Sequence, residues 1–144
     1  MGHTEDVLAI LALQSDYARG ADSFDGATYA AVFTPDGVLD ATSTGIPAVE
    51  GTAAIAKLMD DTFAQQTHNM HMTMNQRVTS VDGDVAEGWC YFFQRSVLTN
   101  GGRTEFAGRY DDSYRRTPDG WRISRRVLVE LLPTVLEGYE VPNA

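Results

Sequence analysis

Four side chains in this sequence are of types that could move a proton or hold developing charge near neutral pH. His71 opens the alternating stretch His71-Met72-Thr73-Met74-Asn75, and an imidazole, which ionises near neutrality, is the natural acceptor for a proton taken from carbon. Asp22 ends an apolar helical stretch. A carboxylate there could sit inside a pocket mouth, fix the tautomer of an imidazole and stabilise the imidazolium that forms. Tyr17 precedes it on the same stretch, and a phenol can donate to an oxygen on which charge develops. Arg126 could hold a second oxygen or build a salt bridge below a pocket. Each residue also has a structural reading. Asp22 would be a loop acid, His71 a solvent-facing histidine at a strand end, and Tyr17 a core residue bonded to a backbone acceptor. Arg126 would belong to a solvated cluster with Arg122 and Arg125. Spacing alone leaves both readings open.

Other chemistries are poorly supported. His68 and His71 look like a metal pair, but residues three apart on a strand point to opposite faces, and no third ligand lies nearby; metal is not expected. Cys90 lies in the apolar run Trp89-Cys90-Tyr91-Phe92-Phe93, a setting for inert core rather than for a nucleophile. It is the only cysteine, which excludes an internal disulfide. The sequence has no Gly-rich phosphate loop, dinucleotide fingerprint or serine nucleophile elbow, so no cofactor is implied. A net charge of -9 argues against nucleic acid and against an anionic membrane surface as partners. The N-terminus carries acids where a signal peptide needs bases, and no apolar run approaches the roughly 20 residues of a membrane span. The cytoplasm is the expected location.

The elements that must position these residues follow from periodicity. With 144 residues, 43% hydrophobic and 22% charged, the chain reads as one globular domain, 1–144. Thr4 is the expected cap of a first helix, with Val7, Ile10, Leu11, Gln14, Tyr17, Ala18 and Ala21 on one stripe. Asp25 is placed to cap a short second helix over 26–33. Thr34-Pro35-Asp36-Gly37 is expected as a turn, followed by a short strand over 38–42. A third helix spans roughly 53–65. The period then changes to alternation. Strands are expected over 71–81, 85–99, 103–116 and 121–132, joined by tight turns at Asp82-Gly83, Asn100-Gly101-Gly102 and Pro118-Asp119-Gly120. The tail after Pro133 carries weak structure signals. Helices first and strands later make the class α+β, three helices packed on a curved antiparallel sheet. The run 89–93 is apolar on both faces. One face must pack on the helices and the other on something else, for which a second subunit is the simplest candidate. Met70, Met72 and Met74 could join that patch.

Three blocks carry a family resemblance: Tyr17 to Asp25 followed by Tyr29 to Gly37; His71 to Asn75 leading to Val81-Asp82-Gly83-Asp84; and Gly108 to Ile123. In this order they resemble SnoaL-like proteins of the nuclear transport factor 2-like superfamily, over nearly the whole chain. The resemblance implies a cone-shaped α+β barrel. For activity it implies less, because the superfamily includes dehydratases, dehydrochlorinases, isomerases, polyketide cyclases and non-catalytic binders. Asp22 and His71 fall where scytalone dehydratase and hexachlorocyclohexane dehydrochlorinase carry a paired Asp and His. Tyr17 matches a tyrosine, and Gln94 replaces an acid, of the bile-acid dehydratase. Arg126 matches a pocket arginine of the dehydrochlorinase.

The resulting expectation is a cofactor-independent lyase, dehydratase-like, acting on an apolar cyclic small molecule. His71 is the base, Asp22 its orienter and Tyr17 the oxygen donor. Arg126, Tyr110, Phe24 and Trp89 are expected to contact substrate. The alternatives are a polyketide cyclase or isomerase in the same pocket, and a ligand-binding or assembly module without catalysis. A homo-oligomer, dimer or trimer, is expected.

Overall fold

In the computed structural model, which describes residues 2–143, the apolar stripes of the N-terminal segments become helices laid across one face of a sheet. Helix α1 (His3–Asp22) buries Ile10, Leu13, Gln14, Tyr17 and Ala21. It starts two residues earlier than the sequence suggests. Gly2, not Thr4, is the cap residue, and its N–H donates to the Glu5 carboxylate at 2.8 Å. Asp6 in the first turn is buried, where Arg116 donates to it at 2.9 and 3.0 Å and the Trp121 indole N–H at 2.9 Å. These contacts pin the helix start to the far hairpin. Helix α2 (Gly26–Ala30) is capped by Asp25, whose carboxylate accepts from the Thr28 N–H at 3.0 Å. It ends before Phe33, which is drawn into the sheet beside Ile123. Helix α3 (Thr52–Phe63) turns Ile55, Leu58 and Phe63 inward.

Six strands form one sheet: β1 (Phe33–Asp40), β2 (Val49–Glu50), β3 (Gln66–Asp82), β4 (Val85–Leu98), β5 (Arg103–Thr117) and β6 (Gly120–Glu137), in the order β2-β1-β6-β5-β4-β3. The meander β3 to β6 is the one that alternation and turn signals predict. Glycines in the left-handed region stand in its turns, with φ of 58° at Gly83 and 85° at Gly101. Three features differ from the sequence reading. Strand β1 pairs parallel with β6, and the expected turn Thr34 to Gly37 is a bulge within that pairing, between Phe33 and Val38. Strand β3 begins at Gln66, ahead of the alternation, because Gln66 and His68 find backbone partners on β4. Strand β6 runs through Pro133 to Glu137. Its pairing with β1 ends at Val127, so Pro133 lies where one side of the strand is free, and its missing N–H costs no ladder bond.

Strict alternation resolves the two-faced strand. Ala86, Cys90, Phe92 and Gln94 of β4 are buried beneath the helices, while Trp89, Tyr91 and Phe93 face the other way. Beside them Met70, Met72 and Met74 of β3 are exposed. No helix among the described residues is long and apolar enough to cross a membrane.

Candidate active site

The helices and the concave face of the sheet enclose a cavity of about 100 Å³. Most of its wall is apolar, from Ala21, Leu39, Ala41, Ile46, Leu58, Phe92, Phe106 and Leu128. Polar atoms converge from Tyr17, Tyr29, His71, Tyr110, Asn69, Gln94 and Thr104. An apolar chamber with a few converging polar groups is the usual form of a small-molecule site. The volume is on the scale of one ring, compared with roughly 150 Å³ for a dry cavity that takes benzene.

His71 reaches this chamber because alternation along β3 turns it inward and Met70 and Met72 outward. It is 9% exposed. Its ring stacks on Phe92 at a centroid distance of 5.8 Å and packs edge-on against Tyr17 at 5.2 Å. Burial, with the nearby positive charge of Arg126, pushes its pKa down from 6.5 to about 3. The imidazole is therefore neutral at physiological pH, with an acceptor nitrogen available. Its Nε2 lies 3.1 Å from the Tyr110 hydroxyl. Tyr17 donates to the same Tyr110 oxygen at 3.3 Å, and the Tyr17 hydroxyl also bonds that of Tyr29. Three phenols from α1, α2 and β5 thus form a chain ending at His71. Burial first, then neighbouring phenols, raises the pKa values of Tyr29 and Tyr110 well above the ordinary range. Both remain neutral hydroxyls.

Beneath this chain lies Arg126, 0% exposed. A bulge puts it there. Tyr114 of β5 pairs with Ile123, and Ser113 pairs with Arg125. One extra residue of β6, Ser124, therefore stands between them, and Ile123 and Arg126 both face inward. Regular alternation from Ile123 would send Arg126 out to the side of Arg122 and turn Arg125 inward in its place. Its guanidinium sits 4.3 Å from the Tyr17 ring centroid and 4.1 Å from that of Tyr110. It donates to Asp112 through Nε and Nη2, both at 2.8 Å, and to Gln14. Gln14 and Tyr114 also donate to Asp112, at 3.1 and 2.8 Å. Arg126 does not line the cavity, which corrects its expected contact with substrate; it is the floor under the tyrosines.

Asp22 is exposed at the end of α1, not inside the mouth. Its Oδ1 accepts the backbone N–H of His71 at 2.8 Å and the Asn69 amide at 3.1 Å. The expected bond to the imidazole is not formed. The ring nitrogen that bonds does so with Tyr110, because the side chain of His71 points inward while its backbone N–H points along the sheet toward β3's free edge and the helix end. Two further expectations are corrected. Phe24, with φ of 54° just past the helix, is 39% exposed and packs edge-on against Phe63, so it stays outside the lining. Trp89 is one residue out of phase with Cys90 and Phe92 and lies on the outer face against Tyr91. Tyr110 lines the cavity.

Sequence reasoning missed Tyr29 and Gln14 as parts of this assembly. A signal for Asp112 was present, since Tyr110, Asp112 and Tyr114 share one face by alternation once Tyr110 is placed inside. Cys90 is fully buried, and its thiol is pushed up to about 12 by burial, in keeping with an inert core residue. His68 is exposed and bonded to Thr67, pointing away from His71.

The sequence matches a known family. The SnoaL-like domain profile covers residues 2–127, and the chain belongs to that family. An uncharacterized protein of Mycobacterium tuberculosis is 36% identical over 126 residues, covering 85% of this chain and 83% of the relative. Among solved structures, a candidate aromatic ring hydroxylase from Novosphingobium aromaticivorans superposes with a TM-score of 0.87 at 32% identity, over 93% of this chain and 94% of that one. A hexachlorocyclohexane dehydrochlorinase from Novosphingobium barchaimii superposes with a TM-score of 0.76 at 22% identity, over 94% of each chain. The last likeness is one of fold.

Proposed function

We propose that this protein is a cofactor-independent lyase that removes water or a halide from a small ring compound. One observation carries the reading: a buried, neutral imidazole faces an apolar chamber and is bonded to a chain of phenols. In the proposed step Nε2–H of His71 donates to the Tyr110 oxygen, and Nδ1, which makes no hydrogen bond among the described residues, accepts a proton from carbon. The C–H electron pair forms the new double bond as the leaving group departs with its own bonding pair. A departing hydroxide takes the Tyr110 proton and leaves as water. Tyr110 recovers a proton from His71 Nε2, which returns the imidazole to its neutral form. Tyr17 supports Tyr110 instead of touching substrate. A ring-sized chamber favours elimination, or isomerisation of a double bond, over closure of a fused polycycle. The ring named in the hydroxylase likeness suits the same chamber.

The test is a panel of cyclic β-hydroxy ketones and chlorinated cyclohexanes, followed by enone absorbance and chloride release. We expect turnover of at least one member, falling on the order of 100-fold or more in His71→Gln. Turnover that survives this change within a few fold would remove the base. A second reading, a binding module, is favoured by the attachment of Asp22 to backbone instead of the imidazole. Ligands that bind throughout the panel and are never converted would support it.

A further inference from the structure

Besides the tyrosines, the cavity has a second polar group of side chains whose hydrogen bonds run in one direction. An ionised carboxylate can only accept. Asp22 therefore fixes the Asn69 side chain with its NH₂ outward, donating at 3.1 Å, and its carbonyl inward. That carbonyl accepts from Gln94 Nε2 at 2.6 Å. The Gln94 carbonyl is thereby turned toward Thr104, whose hydroxyl donates to it at 3.2 Å, while Ser96 completes the row by donating to Thr104 at 2.6 Å. The Gln94 amide cannot flip without breaking both of its bonds. One of its two N–H groups is used on Asn69, and the other has no partner among the described residues. Gln94 is 7% exposed and lines the chamber. It is also the cross-strand partner of His71, so its amide lies beside the proposed base.

We infer that Gln94 is the substrate-orienting donor of this cavity, binding a neutral acceptor oxygen such as a ring carbonyl, and that Asp22 is a positioning residue that aims it through Asn69. The inference rests on reading the chamber as a substrate site and narrows the class to rings bearing a carbonyl next to the carbon that loses its proton. A buried donor left without an acceptor discriminates strongly between an oxygenated ligand and its hydrocarbon counterpart.

Cyclohexanone and methylenecyclohexane, alike in shape and differing in the acceptor oxygen, are suitable probes. In ¹⁵N-labelled wild-type protein, cyclohexanone should move one of the two Gln94 side-chain amide protons downfield, and methylenecyclohexane should move neither. The preference for ketone over hydrocarbon should fall about tenfold in Gln94→Met. In Asp22→Asn both Gln94 amide protons should broaden or shift before any ligand is added, since the row loses its fixed acceptor. Cyclohexanone that perturbs the Phe92 and His71 signals while leaving the Gln94 amide unmoved would overturn the assignment, as would a Gln94→Met preference equal to wild type. The wild-type spectrum decides the matter even if Gln94→Met fails to fold. Neither probe has a leaving group, so the outcome is independent of whether the protein eliminates anything.

Discussion

Asp22 holds the backbone N–H of His71 at 2.8 Å, while the imidazole of the same residue turns away to meet Tyr110 at 3.1 Å. The acid positions the strand and the phenol positions the ring. Neutralising the acid should therefore leave the ring's ionisation unchanged. In Asp22→Asn we expect the His71 pKa, read by NMR titration, to stay where it is in wild type, and the His71 backbone amide to exchange faster with deuterium. A His71 pKa that moves with this change would restore the direct pairing.

The depressed pKa of His71 has a second consequence. In the unfolded chain the ring takes up a proton below about 6.5, and in the folded chain only near 3. Between these values the unfolded state binds more protons, so this residue leaves stability intact above about pH 6.5 and erodes it progressively as the pH falls toward 3. Denaturant unfolding at pH 7.5 and pH 4.5 should show a loss for wild type that is smaller in His71→Phe. If turnover is found, its kcat/KM should show no His71 inflection near 6.5, since the neutral base persists far below that pH.

Much of this arrangement was legible in the sequence, and the remainder has identifiable causes. The alternation of β3 to β6 and the Asp-Gly turn signals predicted the meander, and the helical stripe predicted that Tyr17 faces inward. Parity also contained the outward position of Trp89, once Cys90 and Phe92 are taken as core. The choice between a solvated Arg126 and one bridging below the pocket was not legible, because a single extra residue in β6 reverses its facing, and bulges leave no mark in composition. The parallel pairing of β1 with β6 joins segments far apart in the chain with no local signal. The true partner of Asp22 could not be read either, since sequence names side chains and this bond goes to a backbone N–H.

Removing Asp112 would leave the guanidinium of Arg126 buried without its counter-charge. Asp112→Ala should destabilise the fold by about 3–5 kcal/mol in urea unfolding, with much of the loss recovered when Arg126→Met is added. A loss in the double variant equal to the sum of the two single losses would show that the pair is not coupled.

The hydroxyl chain can be cut at either of two points. Tyr110→Phe removes the group bonded to His71 and should lower kcat on any panel substrate by about 100-fold. Tyr17→Phe leaves that bond in place and should lower kcat less, by about tenfold. The reverse order would place Tyr17, not Tyr110, at the substrate oxygen.

We also propose that the exposed outer face of Met70, Met72, Met74 and Tyr91 is covered by a second copy of the chain, since contiguous apolar surface of this kind commonly marks an interface. Light scattering over a concentration series should give a dimer or trimer, shifting toward monomer in Met72→Lys. Monomer at every concentration would remove the proposal.

The bulge that turns Arg126 inward also bears on acidity. Burial is the main reason His71 is a weak base, and the positive field of Arg126 that adds to it lies under the same chamber that would hold the ligand. A carbon acid placed there forms an anion, and that field stabilises it just as it disfavours an imidazolium. What governs proton transfer is the gap between the two pKa values, and a cation beneath both partners lowers each. In the proposed reaction, a base of unusual weakness would thus be matched to a substrate made more acidic by the same buried charge.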